Sequence, residues 1–505
     1  MRNKYIFLSV ATALALLLAR FLLYPMISDG MRVGPDSAKY LNSAVNLIEL
    51  HEISVACSPD TVPNTIAAPG YIVALSIPIR LGLSWLASAQ IVSLTCYILL
   101  LVGVAAFVRG FTGSPILALA TEVVVGWHPV LLTFTGMVLS EPLSWLFVIA
   151  INIFILKLIK NPDKTAAIYL GITLGLAVLV RYAFIAFLLS SPLLILLLVR
   201  RIPVGKAFIL IGLSILISLL IFGPWLVRNW LLTKNLVVAV RGSGTWRGNS
   251  ILATLSWWEI ILGLKRPDWP LAAVIYLPLA GLAITAASRY KRLISGRKFQ
   301  SNGTVYLINF LLAVGYMISV IFICTFINPA GVDRRLFSPL VIMFAIMMAT
   351  LMSQWSTGTS TRKNVRVYAI IFYSFWVAWI IIRGIGESGT LRRETKGYFD
   401  WKSSPTVAFA VDKFKPSEFL VTDPEPFWLW HRVYPRYLPG KSDTVMESAR
   451  FEEDGIKALV WFKKTHRTYL IQPLDIVWNS PFREIEFEDG RVYLLSPIKY
   501  REGAN

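Results

Sequence analysis

The chain has 505 residues, 56% of them hydrophobic and only 15% charged, with a mean hydropathy of +0.62 and a formal net charge of +20. That balance excludes a soluble globular enzyme, and the placement of the charge excludes a soluble nucleic-acid binder, which would gather it on one folded basic face. Residues 1–384 hold 31 basic and 11 acidic groups, whereas residues 385–505 hold 18 of each. The excess therefore travels with the apolar runs, where it points to membrane topology and an anionic partner. Three cysteines, Cys57, Cys96 and Cys324, are too few and too scattered for a disulfide scaffold or a zinc site.

The first apolar run, YIFLSVATALALLLARFLLYPM, is longer than the core of a signal peptide and lacks a small-residue cleavage site, so it reads as a retained first span. It is followed by a loop at 27–84, far longer than the turns that usually join spans, and loops of that length tend to be functional or disordered. Asp36 follows Gly34-Pro35 and opens a helical pattern, with Leu41, Val45 and Ile48 on one apolar stripe, as expected of a helix lying on a membrane surface. Asp at a helix start also reads as an N-cap, and Asp29 is the rival acid. Lys39 and Tyr40 stand one turn beyond Asp36.

Runs of about 20 apolar residues, enough to cross a bilayer, recur along the chain. Spans are predicted at 5–26, 86–108, 115–135, 141–159, 166–181, 183–199, 207–225, 271–288, 304–325, 336–353 and 367–384, about eleven in all. An odd number puts the termini on opposite faces. Short loops carrying Arg109, Lys157/Lys160/Lys164, Arg200/Arg201/Lys206, Arg289/Lys291/Arg292/Arg297/Lys298 and Arg362/Lys363/Arg366 then mark the cytoplasmic side, together with the N-terminus. The opposite side receives the loop 27–84, the loop 226–270, the turn 328–335 and the C-terminal region.

Several ionisable residues fall at outer span ends, at headgroup depth: Glu141 in LSEPLSW, Arg181 in VLVRYAF, Arg228 with Asn229 in PWLVRNW, and Asp333, Arg334 and Arg335 in GVDRRLF. Ionisable groups at membrane depth usually face a cavity or a partner, although arginines near span ends can also snorkel to ordinary headgroups. Glu141 could bind a polar substrate, hold an arginine in place, or complement its helix dipole. Glu122 sits deeper and has no evident role, and His128 reads as structural. Trp246, Trp257, Trp258 and Trp269 read as interfacial anchors, with a helix over ILATLSWWEIILGLK.

The last 120 or so residues change character. FLVTD, ALVWF and TYLIQ alternate like strands, EIEFEDGRVYLL reads as a hairpin turned at Asp489-Gly490, and SDTVMESARFEED resembles a capped amphipathic helix from Ser442. The organisation expected is a membrane module at 1–384, with the first extracytoplasmic loop at 27–85, and a small extracytoplasmic α/β domain at 385–505.

GPDSAKYLNSAVNL followed by AAPGYIVALSIP resembles the first loop of GT-C membrane glycosyltransferases, in particular bacterial proteins similar to dolichyl-phosphate-mannose protein mannosyltransferases and lipid A aminoarabinose transferases. MVLSEPLSWLF, LGITLGLAVLVRYAF, FGPWLVRNWLLTKNLVV and NPAGVDRRLFSPL continue the likeness in order, over about residues 5–350. The C-terminal domain matches only in its placement. The resemblance implies a polytopic α-helical GT-C-like protein of the bacterial cytoplasmic membrane. It also implies a polyprenyl-phosphate-linked sugar as donor and Asp36 as catalytic base, with a glycan, glycolipid or protein as acceptor. Nucleic acid has no part in it. Lys39, Tyr40, Glu141, Arg181, Arg228, Asn229, Asp333, Arg334 and Arg335 are the expected substrate-binding set. Many members carry two adjacent acids where this chain has Asp36-Ser37, a departure that leaves a divalent metal and the role of the second acid open; no other cofactor is expected. A carrier or flippase for lipid-linked sugars is the rival class, but it would be expected to show two related halves, and none is found.

Overall fold

A computed structural model of the chain describes residues 2–28, 30–56, 61–234, 301–323, 334–357, 363–399, 404–421, 427–428, 433, 435–437, 454–462 and 482–495. Outside them lie Asp29, Cys57, Cys324, Asp333, the 271–288 span, the four loop tryptophans, the TYLIQ strand and nearly all of the SDTVMESARFEED segment. The chain divides into two compact units: 1–31, 68–74 and 89–392 form the first, and 32–67, 75–88 and 393–505 the second.

The first unit is helical. Among the described residues, six helices are long and apolar enough to cross a membrane: Tyr5–Ile27, Trp85–Thr112, Glu141–Lys160, Val204–Thr233, Gly303–Val320 and Arg335–Gln354. The expected span at 115–135 is a bent pair, Pro115–Trp127 and Pro129–Thr135, meeting at 58°. Pro129 explains the bend, because the residue before a proline is pushed out of the helical region, and His128 adopts φ −64°, ψ 121°. The expected spans at 166–181 and 183–199 are shorter apolar helices, Lys164–Val180 and Tyr182–Leu198, and the 367–384 span lies within a longer helix, Lys363–Phe399.

Close helix contacts in this unit use small residues, as is usual where lipid supplies no hydrophobic drive between helices. Gly171 and Gly175, one turn apart in LGITLG, face the Val204–Thr233 helix. A Cβ on Gly171 would lie 2.5 Å from the Ser214 carbonyl, and one on Gly175 would lie 2.8 Å from Ile221 Cβ. Ser214 Oγ donates to the Ala167 carbonyl at 2.9 Å along the same seam. Gly175→Leu is therefore expected to force these helices apart and to cost about 2–3 kcal/mol, as overpacking does, read as a lowered midpoint of thermal unfolding in detergent. Gly70 of AAPGY meets a similar limit, because a Cβ there would lie 2.8 Å from Val180 and 2.9 Å from the Leu179 carbonyl.

In the second unit the Pro35–Glu49 helix buries Leu41 of the expected stripe and, beside it, a polar face, Asn42, Ser43 and Asn46, whereas Val45 and Ile48 are half-buried. The reason is a hairpin, β1 (Ser54–Ala56) with β2 (Thr61–Pro63), whose backbone needs partners. Asn46 Nδ2 donates to the Ser54 carbonyl (3.1 Å), Ser43 Oγ donates to the same carbonyl (2.9 Å), and Asn64 Nδ2 donates to Ser43 Oγ (2.9 Å). Asn64 Oδ1 then accepts from the Ala67 amide at 3.0 Å. Buried polar groups that satisfy one another in this way specify a single loop conformation.

The C-terminal part of this unit holds a five-stranded mixed sheet in the order β4 (Arg436–Tyr437), β3 (Phe419–Val421), β5 (Ala458–Phe462), β7 (Gly490–Leu495), β6 (Phe482–Glu486). The predicted strands at FLV and ALVWF are present and run parallel, and EIEFEDGRVYLL forms the predicted antiparallel hairpin with Glu486 opposite Arg491. Val407 and Ala410 of the Pro405–Lys413 helix pack on Phe419, Val460 and Val492. Asp489 at the hairpin turn accepts hydrogen bonds from Ser404 and from Thr406 (2.5 Å), which fastens that helix to the turn.

Candidate active site

Glu141 is the first residue of the Glu141–Lys160 helix and is fully buried. The helix dipole favours an acid there, but a buried carboxylate is costly unless it is paired. The pairs come from two other helix ends of the same unit. The Lys164–Val180 helix follows Glu141–Lys160 after a short turn and runs back beside it, so its C-terminal end returns to Glu141. Arg181, its C-cap, has extended backbone (φ −155°, ψ 119°), and its Nη1 lies 2.6 Å from Glu141 Oε1. Arg335, in the first turn of the Arg334–Thr357 helix, donates from Nε to the same oxygen. A cation at a helix N-terminus opposes the dipole, and Glu141 offsets that cost. The arginine side chains are 11% and 21% exposed against 0% for Glu141, so two cations stand at the edge of a buried acid.

Hydrogen bonds behind the cluster hold the helix ends in register. Trp145, one turn after Glu141, donates Nε1 to Ser338 Oγ at 2.9 Å, and Ser338 Oγ donates to the Arg335 carbonyl at 2.9 Å. Tyr316 of the Ser301–Phe322 helix donates its hydroxyl to the Leu336 carbonyl at 2.7 Å and packs its ring on Phe187.

A second basic group is tied to the first through the chain. Tyr182 follows Arg181, and its hydroxyl accepts from Trp225 Nε1 (2.6 Å) and from Asn229 Nδ2 (3.3 Å). Arg228 stacks over the Trp225 ring, with 4.4 Å to the centroid, and donates to Asn229 Oδ1 at 3.2 Å. Stacking and a directed hydrogen bond pre-orient a guanidinium. The expected Glu141, Arg181 and Arg335 thus form one polar cluster, and Arg228 and Asn229 a second, joined to it by the Arg181-Tyr182 step of the chain. Asp333 lies outside the described residues. Arg334 opens its helix, but its side chain is not among the described ones.

Asp36, Lys39 and Tyr40 belong to the other unit. Asp36 is the second residue of the Pro35–Glu49 helix and is half-buried; Lys39 is half-buried and Tyr40 buried. All three fall on one face by their spacing. The N-cap is Gly34, whose amide donates to Ser37 Oγ at 3.0 Å, so Asp36 stands inside the first turn and not at the capping position. Among the described residues, no three His, Cys, Asp or Glu side chains gather as a metal site would need. Glu122 is fully buried, and neither of its oxygens has a hydrogen-bond partner among the described residues.

Sequence reasoning missed Tyr182, Trp225, Trp145 and Ser338. Trp225 and Arg228 stand three apart in PWLVRNW, a spacing that puts them on one helix face. Tyr182 adjoins Arg181 in VRYAF. Nothing in the sequence signals that Trp145 and Ser338, distant along the chain, meet.

No protein-family model matches the chain, and no curated protein sequence matches it. Solved structures do match in fold. ArnT from Cupriavidus metallidurans in the apo state aligns with a TM-score of 0.61 at 12% identity, covering 97% of each chain. The same protein bound to undecaprenyl phosphate aligns at 0.58 and 13%, covering 96% of this chain and 97% of that one. The archaeal oligosaccharyltransferase AglB from Archaeoglobus fulgidus, in complex with an inhibitory peptide and a dolichol-phosphate, aligns at 0.53 and 14%, covering 91% of this chain and 69% of its own. The arabinofuranosyltransferase AftD from Mycobacteria aligns at 0.54 and 13%, where 96% of this chain spans 41% of that one. All are GT-C proteins, and this chain has the GT-C fold. It is a multi-pass membrane protein.

Proposed function

We propose that the chain is an inverting glycosyltransferase that moves a monosaccharide from a polyprenyl-phosphate donor to an acceptor hydroxyl at the outer face of the bacterial cytoplasmic membrane, the acceptor being an envelope glycolipid or polysaccharide. The observation that carries this reading is the pair of arginines, Arg181 and Arg335, held on one oxygen of buried Glu141 at the meeting of three helix ends. Fixed cations of this kind suit a phosphate that leaves with a growing negative charge. Arg228, stacked and oriented by Trp225 and Asn229, adds a third cation. Polyprenyl phosphates bound to ArnT and AglB, which share this fold, support the same ligand class here.

In this reading the acceptor oxygen attacks C1 of the sugar as the bond from C1 to the phosphate oxygen breaks. The acceptor proton passes to the Asp36 carboxylate, and the electron pair of the broken bond leaves with the lipid phosphate. A carboxylate on the face opposite the leaving group also favours the oxocarbenium-like transition state, as in glycoside hydrolysis. Lys39, one turn from Asp36, is a further candidate for contact with the phosphate, and Tyr40 for contact with substrate.

The test is purified protein in detergent with a radiolabelled undecaprenyl-phosphate sugar and membrane extract. Label entering a new glycosidic product supports transfer, and its appearance on a polypeptide assigns a protein acceptor instead. Movement of the labelled lipid across a vesicle membrane with no new glycosidic bond would replace this reading with transport.

A further inference from the structure

Glu141 uses only half of its carboxylate. Both arginines engage Oε1, while Oε2 is buried and has no hydrogen-bond partner among the described residues. A fully buried carboxylate oxygen without a partner is expensive, so such atoms are normally met by a ligand or an ordered water. The charge around it narrows the choice of ligand. Two guanidinium groups already stand on Oε1, so a further cation, whether an ammonium or a metal ion, would be disfavoured at Oε2. A neutral hydroxyl carries no such penalty and can donate a strong, charge-assisted hydrogen bond.

We propose that Glu141 Oε2 is the acceptor for one neutral hydroxyl of the donor sugar, next to the phosphate held by Arg181 and Arg335. This rests on the lipid-phosphate reading of the arginine pair and adds a specificity contact to it. One carboxylate would then orient the phosphate-binding arginines through Oε1 and read the sugar through Oε2.

The experiment compares equilibrium binding of undecaprenyl phosphate with that of a panel of undecaprenyl-phosphate-linked hexoses and pentoses, using the full chain in detergent. The wild-type protein is expected to bind its best sugar lipid at least about 10-fold more tightly than the sugar-free lipid, the worth of one hydrogen bond to a charged group. In Glu141→Gln the two arginines hold the amide oxygen toward themselves, which leaves an NH2 that can meet the hydroxyl oxygen only in a neutral hydrogen bond. That preference should fall about fivefold, the difference between a charge-assisted and a neutral hydrogen bond, even if both affinities fall together.

A preference that survives Glu141→Gln undiminished, or a wild-type protein that binds both lipids equally, overturns the hydroxyl contact while leaving the phosphate site intact. A wild-type protein that binds neither lipid overturns the phosphate site itself. Should Glu141→Gln fail to fold, mono-deoxy versions of the best sugar lipid decide the matter on the wild-type protein. Loss of about 10-fold at one position alone supports the contact, and equal binding of all of them, as expected if a water fills the site, excludes it.

Discussion

Asp36→Asn should lower glycosyl transfer by about 10³-fold while undecaprenyl-phosphate binding and the unfolding midpoint barely change. Asn keeps the shape of Asp but cannot take the acceptor proton, and a positioned general base is worth about 10²–10⁴ in rate. The change also removes a negative charge from the first turn of the Pro35–Glu49 helix. That dipole interaction is worth only about 0.3–1 kcal/mol, and the helix is fastened independently by Ser43, Asn46 and Asn64. A loss of activity of the stated size cannot then be a loss of fold. Asp29→Asn, at the rival acid of the same loop, should retain transfer. If the two variants lose activity alike, the assignment of the base to Asp36 fails.

The second large effect is expected at Glu141. Glu141→Ala leaves Arg181 and Arg335 facing each other with no anion between them, and removing one partner of a buried ion cluster costs about 3–5 kcal/mol. Both arginine side chains are less than a quarter exposed, so solvent screens the repulsion only in part. The unfolding midpoint should fall sharply, and transfer should be lost. Stability and function can be separated by replacing the whole cluster. A triple variant, Glu141→Leu with Arg181→Leu and Arg335→Met, exchanges paired charges for apolar groups of similar size, a change that is often neutral or stabilising. It should regain most of the lost stability and still neither bind undecaprenyl phosphate nor transfer sugar. Recovery of activity along with stability would show that the cluster is only a structural pin.

The membrane architecture was legible in the sequence because a span needs an apolar run of set length: ten of the predicted spans correspond to described helices or to the bent pair, and seven of these are long and apolar enough to cross a membrane. The 115–135 run shows what composition misses: it is apolar throughout, yet Pro129 bends it. Alternation and the Asp489-Gly490 turn announced the C-terminal hairpin, whereas the order of the five strands depends on pairings between distant segments that no local pattern encodes.

In the first loop the apolar stripe was legible but the polar face was not: Leu41 is buried, and Asn42, Ser43 and Asn46 are buried beside it because the β1–β2 hairpin and Asn64 supply partners that no local spacing announces. The candidate site was half legible. Arg181, Arg228, Glu141 and Arg335 stood out as charges at span ends, and Glu141 was read as a residue that could hold an arginine. That it holds two, both on one oxygen, depends on where three helix ends meet.

The most direct measurement is an experimental structure of the full chain with undecaprenyl phosphate bound. The phosphate is predicted within about 3 Å of the Arg181 and Arg335 guanidinium groups, the distance of charge-assisted hydrogen bonds. A phosphate bound away from both arginines would contradict the account.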